Sequence, residues 1–217
     1  MGKEGLFHRT GKEIQNVFQN LFKQRGKWRR KAAELDGYYT DDAPRAVNST
    51  KWIVCMIDGR TKHGGLADRL RGIVSTYYVS KKLGYDFRLH FVHPFWLTDY
   101  LVPNSVDWRV RSDELCYNRQ DSQVMYCGSN ATLVEPFFQE LWFKKCMRAA
   151  NKQLHVYTNA HLLPRGRKFG QCFNELFRPS EALQQAIAMH SKPLNGGYYA
   201  MTFRFQQIGR ASCRERV

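Results

Sequence analysis

One stretch constrains the fold of this chain more than any other. An apolar run, Trp52-Ile53-Val54-Cys55-Met56-Ile57, leads within a few residues to His63-Gly64-Gly65-Leu66-Ala67-Asp68-Arg69-Leu70-Arg71-Gly72, and a helical pattern follows. Strand, glycine turn and helix in this order present backbone N–H groups and a helix N-terminus to an anionic ligand. Gly64 and Gly65 allow positive φ and close approach of a ligand. Asp68 suits the first helical turn, where a carboxylate meets the positive end of the dipole. Arg69 and Arg71 add cationic reach. Glycine turns also join strands to helices for purely structural reasons, so a tight βα turn is the alternative reading.

The periodicity around this stretch supplies the fold class. Leu66, Leu70, Ile73, Val74 and Tyr77 keep helical spacing, and Lys81-Lys82-Leu83-Gly84 closes the helix with cations and a glycine. Tyr85 to Val92 reads as the next strand. Such a βαβ unit predicts an α/β domain with a parallel sheet, Rossmann-like in character. Beyond it the pattern predicts a short helix over 95–101 and short strands near 106–110 and 123–127. It further predicts a helix over 137–150, a strand over 154–158, helices over 169–177 and 181–190, and an apolar strand over 198–205 carrying Arg204.

Upstream, residues 1–35 hold nine Lys/Arg against three Glu. Ile14, Val17, Phe18, Leu21 and Phe22 line one helical face, and the cluster from Arg25 to Lys31, with Trp28 inside it, follows. This basic amphipathic helix could pack on the domain with a solvated edge, lie on an anionic bilayer through residues 12–31, or meet nucleic acid. Residues 36–50, polar and irregular, read as a linker. The formal charge of +15 calls for an anionic partner. No apolar run is long enough to span a bilayer and no signal-peptide core is seen, which points to the cytoplasm. The six cysteines show no CxxC spacing and read as reduced, mostly buried thiols.

The last ten residues, Ile208 to Val217, follow a strand without a closing element, and they match the translation of a widely used short-read library adapter. Residues 207–217 are therefore expected to be adapter read-through. Their three arginines and one glutamate contribute +2 of the +15, and Cys213 belongs to them.

Taken together, the HGGLADRLRG stretch, His93-Pro94-Phe95-Trp96-Leu97-Thr98-Asp99-Tyr100-Leu101-Val102-Pro103-Asn104 and the Phe203-Arg204-Phe205 strand resemble the fucosyltransferase-like glycosyltransferases. That superfamily holds the nodulation-factor and α-1,6-fucosyltransferases and bacterial surface-polysaccharide enzymes. The resemblance implies a two-domain GT-B-type architecture. Residues 51–195 would form the Rossmann-like N-terminal domain and 196–206 the first strand of a GDP-sugar domain that is otherwise missing. It implies transfer from a GDP-sugar (GDP-fucose) to a glycan or lipid-linked glycan acceptor, with no cofactor or metal. Arg204 stands where the family has its diphosphate-binding arginine, and Thr202 stands where the family often has histidine. His63 and Asp68 are the candidates for proton or hydroxyl work; Gly64, Gly65 and Arg69 are candidates for nucleotide-sugar contact. Two other classes remain open: a basic nucleic-acid-binding module and a non-catalytic α/β domain.

Overall fold

The computed structural model describes residues 26–46, 51–128, 152–163 and 168–192. The amphipathic segment over 14–22, residues 47–50, the helix expected over 137–150, the strand over 198–205 with Arg204, and the adapter-like segment lie outside the described residues.

The protein is a mixed α/β structure built on a four-stranded, wholly parallel sheet in the order β2-β1-β5-β4. β1 is Trp52–Ile57, β2 Asp86–Phe91, β4 Ser122–Cys127 and β5 Gln153–Thr158. β1 lies between β2 and β5, and all six of its residues are buried. A strand covered on both faces needs apolar side chains at every position, which is why it reads as a continuous run. Its odd residues Cys55 and Ile57 join Phe87, Leu89 and Phe91 of β2 and Ile73, Val74 and Tyr77 of the following helix. Its even residues Trp52, Val54 and Met56 join Leu35, Tyr39, Val124 and Tyr157 on the opposite face.

Helix α1 is described over 26–36, and α2 spans Leu66–Leu83. α2 ends as its sequence dictates, with Lys81 and Lys82 in the last turn and Gly84 left-handed at φ 70°. Its first turn differs from the expected apolar stripe, because Leu66 is 46% exposed. The stripe begins to bury only further along, where the helix reaches the sheet. At Gly72 the approach is so close that a Cβ would lie 2.2 Å from the carbonyl oxygen of Thr158. The last glycine of the motif thus serves helix–strand packing.

The short helix expected over 95–101 is a single 3-10 turn, Leu97–Asp99, running into β3, Leu101–Pro103. β3 pairs antiparallel with β6, Phe177–Pro179, and this tertiary pairing overrides the helical spacing. It also ends α3, Lys168–Leu176, one residue earlier than expected. The strand expected at 106–110 reduces to one bridge, Leu89 to Arg109, with Trp108 buried beside it and its indole donating to the Leu176 carbonyl at 2.7 Å. α4 spans Glu181–Ser191 in a second compact unit that begins at Glu181.

The basic cluster after Arg25 is divided by its own helix. Trp28 is buried among Ile53, Met125 and Leu154, while Lys27, Arg29 and Arg30 face solvent. Residues 37–46, expected as part of a linker, are fastened to the domain. Tyr39 is buried, and Arg45 grips Asp121 through both carboxylate oxygens at 2.6 and 2.9 Å. That guanidinium pulls the Asp121 pKa down to about 2. Among the described residues no helix is long and apolar enough to cross a membrane.

Candidate functional site

In parallel sheets ligands gather beyond the carboxyl ends of the strands. Here that edge carries the loop 58–65 after β1, His93 just beyond β2 and Asn159 just beyond β5. The loop is held by its own polar groups. Asp58 accepts the Arg60 backbone N–H at 3.0 Å and the Tyr157 hydroxyl at 2.9 Å. The Arg60 guanidinium sits 3.4 Å from the same carboxylate and lies over the rings of Tyr38 and Tyr117, at 4.4 and 5.0 Å. Its Nη1 is buried without a hydrogen-bond partner among the described residues.

His63, expected as a loop residue able to act as a base, is folded inward. Its side chain is 3% exposed, its ring stacks with Tyr157, and its Nε2 lies 2.7 Å from the Thr61 hydroxyl. Burial first, then the nearby Arg69 charge, lower its pKa to about 4, so the imidazole is neutral at physiological pH. Behind it His155 is satisfied in a chain of buried bonds. Nδ1 meets the Tyr39 hydroxyl at 2.5 Å and Nε2 meets the Gln153 side-chain oxygen at 2.9 Å. Gln153 in turn receives the Cys116 N–H and donates to the Glu114 carbonyl. With burial as the first cause, the His155 pKa falls to about 3.

Gly64 has φ 73°, a conformation that favours glycine, whereas Gly65 has φ −73° and caps α2 without any side-chain hydrogen bond. The first amides of α2 thus start beside an exposed glycine, as an anion site requires. Asp68 stands in that first turn, 44% exposed, and pairs with Arg71 at 2.8 Å. Arg71 also donates to the Asn159 carbonyl. Arg69 donates to the Gly64 and His93 carbonyls, joining the glycine turn to the end of β2. Its two partners are neutral oxygens, so its positive charge adds to the helix dipole instead of being cancelled. Arg71 and Arg60, by contrast, each face a carboxylate.

The structure therefore brings His63, Gly64, Gly65, Asp68 and Arg69 together at one edge, with His63 buried and the other four reaching solvent. The Asp58, Arg60 and Tyr157 cluster escaped the sequence reading. Its signal was the charged pair Asp58-Gly59-Arg60 directly after a fully apolar strand. Among the described residues no group of three or more His, Cys, Asp or Glu side chains is placed to hold a metal ion.

No protein-family model and no curated protein matches the sequence. Among solved structures, a mutant of Arabidopsis thaliana FUT1 in complex with GDP is similar at 12% identity with a TM-score of 0.40. The match covers 83% of this chain and 48% of that one, so this chain spans about half of its neighbour's length.

Proposed function

We propose that this chain is the first-domain portion of a fucosyltransferase-like glycosyltransferase of GT-B type, taking a GDP-sugar (GDP-fucose) as donor and a glycan as acceptor. The observation that carries the reading is the uncapped, glycine-flanked start of α2 at the carboxyl edge, with the uncancelled Arg69 charge beside it. The motif resemblance across 63–72, 93–104 and 203–205 supports the same assignment. In the proposed reaction an acceptor hydroxyl attacks the anomeric carbon, the bond to the β-phosphate breaks, GDP departs and the hydroxyl proton passes to a base. Asp68 is our candidate for that base, because its carboxylate is the one in the motif that faces solvent. His63 we assign to positioning, through Thr61 and the stacked Tyr157. Arg204 would balance the diphosphate charge with a guanidinium that does not titrate, so no metal is required in this scheme.

Ligand-observed NMR with GDP, GDP-fucose, UDP and AMP tests the proposal. Saturation transfer to the diphosphates GDP, GDP-fucose and UDP, stronger than to AMP, is the expected result, because the start of α2 and Arg69 offer a diphosphate site and no base-selective contact. No transfer to any of them, together with salt-sensitive binding of polynucleotides through the exposed Lys27, Arg29 and Arg30, would replace it with a nucleic-acid-binding role.

A further inference from the structure

Along the outer side of β2, where Leu89 bridges to Arg109, the protein has a cleft of about 560 Å³. That is within the ~300–1,000 Å³ range of small-ligand sites. Its floor is the strand from Arg88 to Val92, and its walls are the turn at 96–98 and the segment 107–114. It opens beside Trp96, a large aromatic side chain of the lining, which is 58% exposed. Trp108 beneath it is buried and pinned by its indole N–H.

The formal charges around this cleft balance, with Arg88, Arg109 and Arg111 against Asp107, Asp113 and Glu114. Asp107 holds Arg109 through two bonds at 2.8 and 2.9 Å, and Asp113 holds Arg111 in the same forked way. Arg88 stacks on Trp52 and donates to the Asp107 carbonyl at 2.6 Å. Glu114 accepts the Arg111 backbone N–H. A phosphate or a polyanion would meet as many carboxylates as arginines here, two of the arginines already being held in forked pairs. A neutral polyhydroxylated chain has no charge for them to oppose. The forked pairs are exposed and keep lone pairs and N–H groups that can meet hydroxyls, and the C–H face of a sugar ring can lie on an exposed indole. The cleft continues to Val92, the residue before His93, whose carbonyl is bound by Arg69. A chain bound here would thus have one end near the glycine loop.

We propose that this cleft binds a neutral oligosaccharide, with Trp96 as its stacking platform and the Asp107–Arg109 pair as its hydroxyl-binding group. As the seat of the acceptor it rests on the sugar-transfer reading; as a glycan site it stands on its own geometry. The test uses the 217-residue chain with the hexasaccharides of glucose (α-1,4 and β-1,4), mannose and N-acetylglucosamine as probes, followed by tryptophan fluorescence and calorimetry, and GDP binding is measured in parallel. Binding of at least one hexasaccharide, weakened 10-fold or more by Trp96→Ala and less than 3-fold by Trp96→Phe with Tm unchanged, is the expected result. Binding of none of the probes overturns the proposal whether or not GDP binds. Equal binding by Trp96→Ala overturns it, and so does binding confined to salt-sensitive association with heparin. Hexasaccharide binding lost in Trp96→Ala without GDP binding sustains the cleft and removes the transfer reading instead.

Discussion

His63 and His155 are the most strongly shifted of the imidazoles that shape how this protein responds to acid. Both are buried and neutral, with pKa values brought down to about 4 and about 3 from an ordinary 6.5. The unfolded chain takes up protons that the folded chain refuses, so the stability they provide is complete above pH 6.5 and is lost as pH falls toward 4. Within that window each contributes a slope of about 1.4 kcal/mol per pH unit. Thermal melts between pH 7.5 and 4.5 should show Tm falling steadily below pH 6.5; a flat Tm would mean that these rings are not buried as described. The glycines divide in the same residue-by-residue way. Gly64→Ala meets both the left-handed backbone and Asp68 Oδ2 at 2.6 Å, and should cost about 1–2 kcal/mol. Gly65→Ala has open space around its Cβ and an ordinary φ, so it should cost less than Gly64→Ala, only the N-cap preference for Gly over Ala of roughly 0.5–1 kcal/mol.

At the scale of elements, the seam between α2 and the end of β5 matters most. A methyl at Gly72 would strike the Thr158 carbonyl at 2.2 Å, and neither backbone can yield without moving the helix. Gly72→Ala should therefore cost ~3 kcal/mol or more and lower Tm by roughly 5–10 °C in calorimetry. A loss under 1 kcal/mol would show that α2 can lift off the sheet. This seam also shows what the sequence could reveal. β1 was legible to the residue, because burial on both faces leaves only apolar choices at all six positions. α2 was legible because its glycine start and Lys-Lys-Leu-Gly end are local signals. β3 and β6 were not: three-residue strands have no periodicity, and their pairing depends on residues about 75 positions apart. Asp58, Arg60 and Tyr157 were hidden for the same reason, since the bond from β5 to the β1 loop spans 99 positions.

At the scale of the whole molecule, the parallel sheet converts scattered motif residues into one edge. β1 delivers the glycine loop, β2 delivers His93 to Arg69, and β5 delivers Asn159 to Arg71. In the sugar-transfer proposal this edge receives a nucleoside diphosphate at the start of α2. That placement is tested most directly by titrating the isotope-labelled chain with GDP and following each backbone amide by NMR. The amides of Gly64 to Arg69 should shift most, and Arg69→Ala should weaken the apparent affinity by about 10-fold, as expected for one charge-assisted contact. Unmoved amides across 64–69 at saturating GDP, or an Arg69→Ala titration that matches the parent, would contradict the account.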